Sequence, residues 1–245
     1  MIHNKVELYS TGRGIVMIDD VVKMRIMHAL IESNMSFDEI VQLVGKAKST
    51  TSVHLEKLEE DGLISSIHDP DDTRKKIYRN KAYLLGETGE STPVLTKQIF
   101  EDIKTTPLTS FDFIHSLFKS LHYTFDSLGL NAEPLLRLMG ERIGYEISKK
   151  MTSGNIEDLL GEIGQFRKEN NLGMLEVLQK TPLTIKITEC YICSGMPEVG
   201  KTLCSLDEGI LKAIIDYRLN VNTEVEEIEC FGTGHKHCKY SVQIK

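Results

Sequence analysis

The 245-residue sequence predicts an α+β protein: a helical module with a short hairpin comes first, a helical connector follows, and a mixed helix–strand module closes the chain. Three observations predict this order. Apolar residues recur at helical spacing between residues 21 and 58, the pattern changes to period two at residues 183–188, and all five cysteines lie beyond residue 189. The length exceeds that of most single domains, and 40% hydrophobic with 27% charged residues suits compact units with real cores. The expected boundaries are residues 1–86, 87–129 and 130–245.

In the first module, "VVKMRIMHALIES" carries Val22, Ile26, Ala29 and Leu30 on one face of a helix. "SFDEIVQLVG" supplies a capping box from Ser36 and Glu39 and a stop at Gly45. "STTSVHLEKLEEDGLI" then opens with Ser and Thr as cap candidates and puts Thr51, Leu55 and Leu58 inward. Ser49, Thr50, Val53 and Lys57 point away from that core, flanked by Ser52 and His54. Two short helices joined by a tight turn form a helix-turn-helix, whose second helix enters the major groove of double-stranded DNA. Small hydroxyls at its start can bond phosphates or base edges, and Val53 can meet a thymine methyl. "LISSI" and "KKIYRN" flank "HDPDDTR", a Pro/Asp-rich turn, and read as a β-hairpin. Such a wing lays Arg74 along the minor groove while Lys75 and Lys76 hold phosphates.

"GETGESTP", residues 86–93, reads as a boundary. After it, "FDFIHSLFKSLHYTFDSL" aligns Phe111, Ile114, Leu117, Phe118, Leu121 and Phe125 along one helical stripe. A reader of two-fold operators needs a partner subunit, so homodimerisation through this helix is expected.

In the last module, "LLRLMGERIGYEISKKM" brings Leu135, Met139, Ile143 and Ile147 together, with Gly140 and Gly144 allowing close packing, and "NIEDLLGEIGQFRKEN" gives a second helix. Leu183, Ile185 and Ile187 alternate with polar residues in a half-buried strand, whose parity puts Cys190 on the polar side. "SLDEGILKAIIDYRL" is a helix opened by Ser205 and Glu208, and Cys204 stands just before its N-terminus, where backbone N–H groups favour a thiolate. Cys238, Tyr240 and Val242 share the inner face of the final strand. Glu227 is in phase with Val221 and Val225, an expensive position unless a cation neutralises it. Cys204, Glu227, Cys230 and Cys238 together suit a tetrahedral Zn2+ site, with Gly232 and Gly234 letting the loop between two ligands turn tightly. Cys190 and Cys193 then form an oxidisable pair near the surface. The alternative of a four-cysteine site from Cys190, Cys193, Cys230 and Cys238, leaving Cys204 free, stays open, as does ligation by His235 or His237.

Bulk numbers exclude several classes. No apolar run approaches a membrane span, and the N-terminus lacks a secretory signature, so a cytoplasmic location is expected. An odd number of cysteines suits metal ligands or redox thiols better than a disulfide framework. Net charge of −7 argues against broad affinity for nucleic acid, leaving the strip Arg74, Lys75, Lys76, Arg79 and Lys81 to act locally.

"KSTTSVHLEKLEEDGLI" followed by "HDPDDTRKKIY" resembles the recognition helix and wing of ArsR- and MarR-type winged-helix repressors over residues 15–85, though Val53 stands where that family often has a polar or basic reader. "CYICSGMPEVGKTLCSLDEG" and "EVEEIECFGTGHKHCKYSV", with "LLRLMGERIGYEI" and "NNLGMLEVLQ" before them, resemble the 4-vinyl-reductase domain of archaeal regulators and phenol-type activators over residues 130–245. There a Cys, a Glu-x-x-Cys and a further Cys bind zinc, which carries over to Cys204, Glu227, Cys230 and Cys238. The fusion is similar to the MsvR-type redox regulators of methanogens. That resemblance implies a dimeric repressor that holds operator DNA while its cysteines are reduced and releases it when they oxidise. Two rival expectations remain: a regulator that senses a small apolar or aromatic ligand with purely structural zinc, and a tetrapyrrole vinyl reductase. No Gly-x-Gly-x-x-Gly stretch supports a nicotinamide or flavin enzyme.

Overall fold

The structure, a computed structural model, describes residues 5–69, 72, 74–89, 109–196 and 198–245, without the side chains of residues 110–112, 114, 115, 118 and 122. Pro70, Asp71 and Thr73 of the expected turn, residues 90–93 of the expected boundary, and the side chains of Phe111, Ile114 and Phe118 therefore lie outside the described residues. The chain divides into two compact units, one of residues 1–90 with 129–131, the other of residues 91–128 with 132–245.

In the first unit, helices α1 (Val21–Glu32), α2 (Phe37–Val44) and α3 (Lys48–Glu60) pack around Met27, Leu30, Ile40, Leu55 and Leu58. Asp20 caps α1 by accepting from the N–H groups of Val22 and Lys23, and the capping box of Ser36 and Glu39 and the left-handed Gly45 bound α2 as expected. Helix α3 starts differently. Its cap is Ala47 with no side-chain bond, so Ser49 and Thr50 lie inside the first turn with their hydroxyls unspent on capping. Strands β3 (Met35–Ser36), β4 (Ile64–His68) and β5 (Lys76–Asn80) form the expected hairpin with one short extra partner.

A second sheet, unforeseen, joins β1 (Glu7–Thr11), β2 (Gly14–Ile18), β6 (Tyr83–Thr88) and β7 (Leu130–Asn131) in the order β2-β1-β6-β7. The boundary segment thus begins as strand. A Cβ at Gly86 would stand 2.7 Å from the Asn131 carbonyl oxygen, so only glycine lets β7 lie this close.

In the second unit, α4 (Ser110–Ser127) keeps Tyr123 and Asp126 buried while Leu117 and Leu121 of the expected stripe are exposed. Helices α5 (Glu133–Ser148), α6 (Ile156–Glu169) and α7 (Ser205–Leu219) accompany an antiparallel sheet of order β10-β11-β9-β8, built from β8 (Met174–Lys180), β9 (Leu183–Thr188), β10 (Thr223–Glu229) and β11 (Cys238–Ile244). The buried face of α5 is Leu136, Gly140, Gly144 and Ser148, while Met139 and Ile143 are exposed, which overturns the expected apolar face. The cause is backbone proximity: a Cβ at Gly140 would meet the Leu206 carbonyl oxygen at 2.1 Å, and one at Gly209 the Arg137 carbonyl oxygen at 2.2 Å. Small residues, not large apolar ones, face an opposing helix this near. The Ser205 capping box is also absent. Cys204 is the cap of α7, and Glu208 instead pairs with Arg137 and accepts the Glu227 N–H at 2.6 Å.

Candidate metal centre and nucleic-acid interface

Four elements deliver five cysteines to one region of the second unit. Cys190 and Cys193 sit in the turns after β9, Cys204 caps α7, Cys238 opens β11, and Cys230 caps a single 3-10 turn, Phe231–Thr233. All five are fully buried. This corrects the expectation that Cys190 and Cys193 lie near the surface. Strand parity ends at Thr188, because Glu189 takes a left-handed backbone (φ 53°) and turns the chain inward before Cys190.

The Sγ atoms of Cys190, Cys193, Cys204 and Cys238 lie within 4.8 Å of one another. Cys190–Cys204 and Cys204–Cys238 are each 3.7 Å apart, and Cys193–Cys238 is 3.1 Å. A tetrahedron with metal–sulfur bonds of about 2.3 Å has edges of about 3.8 Å, so the group is near the size a single divalent ion requires. Without an ion the thiols share protons. Hydrogen bonding from Cys193, Cys204 and Cys238 holds Cys190 well below the usual thiol range, while its Cys190 neighbour pushes Cys238 up to about 12.

Cys230 and Glu227 flank this group. Cys230 Sγ accepts the Gly232 N–H at 3.2 Å. Glu227 Oε2 accepts the N–H groups of Leu203 and Cys204 at 3.0 and 2.9 Å, whereas Oε1 is buried with no hydrogen-bond partner among the described residues. Burial pushes this carboxyl up to about 7. A buried, half-satisfied carboxylate beside clustered thiols fits a cation, since leaving it unpaired is costly. The quartet expected from sequence and the sulfur group share the edge Cys204–Cys238. His235 and His237 stand apart from the sulfurs, bonded to Thr233 and Glu229 respectively.

In the first unit, Ser49, Thr50, Val53 and Lys57 are exposed along α3, with Val53 64% exposed. Ser52 is half-buried and donates to Glu56, and His54 sits 3.9 Å from Asp20. Lys57 pairs with Glu60 and Asp61. On the hairpin, Arg74, Lys75 and Lys76 are exposed, but Arg74 donates to both carboxylate oxygens of Asp72, at 2.9 and 3.2 Å. Phosphate or groove contact by Arg74 therefore competes with an ion pair within the wing. Arg74→Ala is expected to lower DNA affinity by about 1–3 kcal/mol and flatten its salt dependence, and Asp72→Asn to raise affinity at low salt. Fluorescence anisotropy across a salt series checks both.

Two family models match. That of the 4-vinyl-reductase domain covers residues 183–244, and "Bacterial regulatory protein, arsR family" covers residues 20–66. Protein MJ1642 of Methanocaldococcus jannaschii is 33% identical over 117 residues, spanning 48% of this chain and 68% of that protein. The chain belongs to the 4-vinyl-reductase domain family. An ArsR-type helix-turn-helix precedes its 4-vinyl-reductase domain, the build of a DNA-binding transcription regulator. Protein MJ0150 of the same organism is 24% identical, over 53% of this chain and 75% of its own. Solved structures with similarity include a vinyl-4-reductase family protein from M. jannaschii (21% identity, TM-score 0.40, 62% and 94% of the two chains) and the phenol-responsive sensory domain of the activator PoxR with phenol (17%, 0.41, 56% and 75%).

Sequence reasoning missed the ion pair behind the thiols of the 4-vinyl-reductase domain. Arg167, almost wholly buried, donates to both oxygens of Asp207 at 3.0 Å, and Asp207 lies 4.0 Å from Cys190 Sγ. A signal existed: Arg167 follows Ile163 by four residues, in phase with the buried stripe of α6. A cavity of about 480 Å³ in the same unit is lined by Ile156, Leu160, Val177, Leu183, Ile215 and Val242. Among the described residues no helix is long and apolar enough to cross a membrane.

Proposed function

We propose that this protein is a transcription repressor whose 4-vinyl-reductase unit holds a Zn2+ ion through buried thiolates and loosens the hold of its winged helix on operator DNA when those thiols are oxidised. The observation that carries the reading is the sulfur group at 3.1–3.7 Å in the unit that does not read DNA. The ion rests on the Cys204–Cys238 edge. Titrating the metal into Cys190→Ser, Cys193→Ser, Cys230→Ser and Glu227→Gln assigns the two remaining ligands, because affinity falls only where a ligand is lost. Oxidation is balanced by a peroxide: two thiolates, one hydrogen peroxide and two protons give one disulfide and two waters. Cys190 and Cys193 serve as oxidisable thiols here, and the shortest separation, Cys193–Cys238, would consume a thiol of the shared edge directly and expel the metal.

The protein acts as a homodimer. Phe113, Leu117 and Leu121, spaced four residues apart on α4, expose an uncharged apolar stripe suited to a two-fold partner. Selection of bound duplexes from a random pool, using full-length reduced protein, tests the function. An inverted repeat should be enriched, with half-sites one helical turn apart. Enrichment of no sequence would overturn DNA regulation, and enrichment of a single half-site would overturn the dimer.

A second reading has its own support. The apolar cavity between α6, the β8–β9 hairpin and the end of β11 suits a small apolar or aromatic effector, with metal purely structural. Under it, oxidant leaves DNA binding unchanged while an aromatic ligand shifts it.

A further inference from the structure

Helix α4 presents one face, Lys119, Tyr123 and Asp126, at spacings of four and three residues, to the segment that carries Cys190, Cys193 and Cys204. Lys119 Nζ donates to the Ser194 carbonyl oxygen at 3.0 Å, and the Tyr123 hydroxyl donates to Met196 Sδ at 3.2 Å. Lys201 Nζ donates to Asp126 at 3.0 Å. Each grip falls within three residues of a thiol of the sulfur group. Tyr123 lies in the same buried cluster as Cys193 and Cys230, which with Asp126 help keep its hydroxyl protonated. The gripped segment is itself tightly tied: the Ser194 N–H bonds the Cys190 carbonyl, the Met196 N–H the Cys193 carbonyl, and the N–H groups of Val199 and Gly200 the carbonyl of Gly232. A change at the sulfurs cannot be absorbed locally without disturbing these bonds.

The other end of α4 leads straight out of this unit. Ser127 closes the helix, and Leu130–Asn131 are already β7, paired with Thr88 and Glu87 of the DNA-reading unit. The Gly89 N–H bonds the Gly129 carbonyl at 2.8 Å, so the connection is held from its first residue. The chain then returns to the cysteine-bearing unit at Ala132.

We propose that α4 is the lever between thiol state and DNA affinity, with Lys119, Tyr123 and Asp126 as positioning residues that seat it on the cysteine segment. When metal leaves or a disulfide forms, the segment of residues 190–204 rearranges and the seat loosens. Displacement of α4 then reaches β7, and through it the sheet of the winged-helix unit, by covalent connection alone. This rests on the reading of the thiol group as the sensor, and two measurements keep the two apart.

Hydrogen exchange of the full-length wild type, with Zn2+ bound and after chelation, should show faster exchange at residues 124–131 as well as at 190–204. Faster exchange confined to 190–204 would overturn the lever whatever DNA binding does. In the second measurement, Tyr123→Phe and Asp126→Asn are compared with wild type for affinity toward a selected duplex, with and without Zn2+. Both variants should keep metal stoichiometry and metal-loaded DNA affinity, while the response to metal removal shrinks from tenfold or more to under threefold. Full responses in both variants would overturn the proposal. A wild type whose DNA affinity ignores metal would instead defeat the function, and the exchange experiment would still decide the lever. Tyr123→Phe keeps the ring in its buried site, and a control Met196→Leu, which removes only the sulfur acceptor, should reproduce its effect.

Discussion

Cys238→Ser is expected to lower the metal affinity of the reduced protein by a hundredfold or more, the largest single effect among the site residues. Cys238 belongs both to the sulfur group and to the quartet with Glu227 and Cys230, so neither arrangement survives its loss. Serine keeps the volume but offers a poor, protonated donor where a thiolate is required. The change at a supporting residue costs about 10–100-fold, and a direct ligand costs more. Cys204→Ser should behave alike, since Cys204 shares both sets and occupies the N-terminus of α7. Competition against a coloured chelator, or the charge-transfer absorbance of Co2+ bound to thiolates, measures this. Undiminished affinity in both variants would remove these cysteines from the site.

Gly140→Ala is expected to destabilise the cysteine-bearing unit by about 3 kcal/mol, the upper end of overpacking effects. The new methyl would meet the Leu206 carbonyl oxygen at 2.1 Å and the Ile210 nitrogen at 3.0 Å. Both atoms belong to the backbone of α7, so no rotamer change relieves the clash and the helices must separate. Because α7 begins at Cys204, separation also spoils the sulfur group, and metal affinity should fall together with stability. Gly161→Ala supplies the contrast: nothing lies within 4 Å of its Cβ position, and losing a helical glycine should stabilise by about 0.5–1 kcal/mol. Urea denaturation of the metal-free protein distinguishes the two. Equal midpoints would contradict the close α5–α7 packing.

The sequence made the winged helix legible because its signals are local. A capping box at Ser36 and Glu39, a left-handed Gly45 and the Thr51–Leu55–Leu58 spacing each need only a few neighbouring residues. Strands β1 and β2 escaped because their partner lies some seventy residues away in β6, and short strands carry little periodicity of their own. The buried face of α5 was misread for a related reason. Helical periodicity marks where large apolar residues recur, whereas this contact is made by Gly140, Gly144 and Ser148, which a hydrophobic count ignores. Glu227 was legible from parity alone, since a carboxylate in phase with Val225 announces its burial. Cys190 and Cys193 were not, because one left-handed residue, Glu189, breaks the phase between strand and thiol. The Arg167–Asp207 pair sits at the intersection of two helices that are distant in sequence, and only the fold brings them together.

The whole account turns on communication between thiols in one unit and DNA reading in the other. The most direct measurement is the affinity of the full-length protein for a selected inverted-repeat duplex, read in one titration with Zn2+ and reductant and in a second after stoichiometric peroxide, with metal content assayed on the same samples. The account expects one bound Zn2+ and tight binding in the first, and metal release with at least a tenfold loss of affinity in the second. Equal affinities in the two states, with the metal demonstrably gone from one, would contradict it.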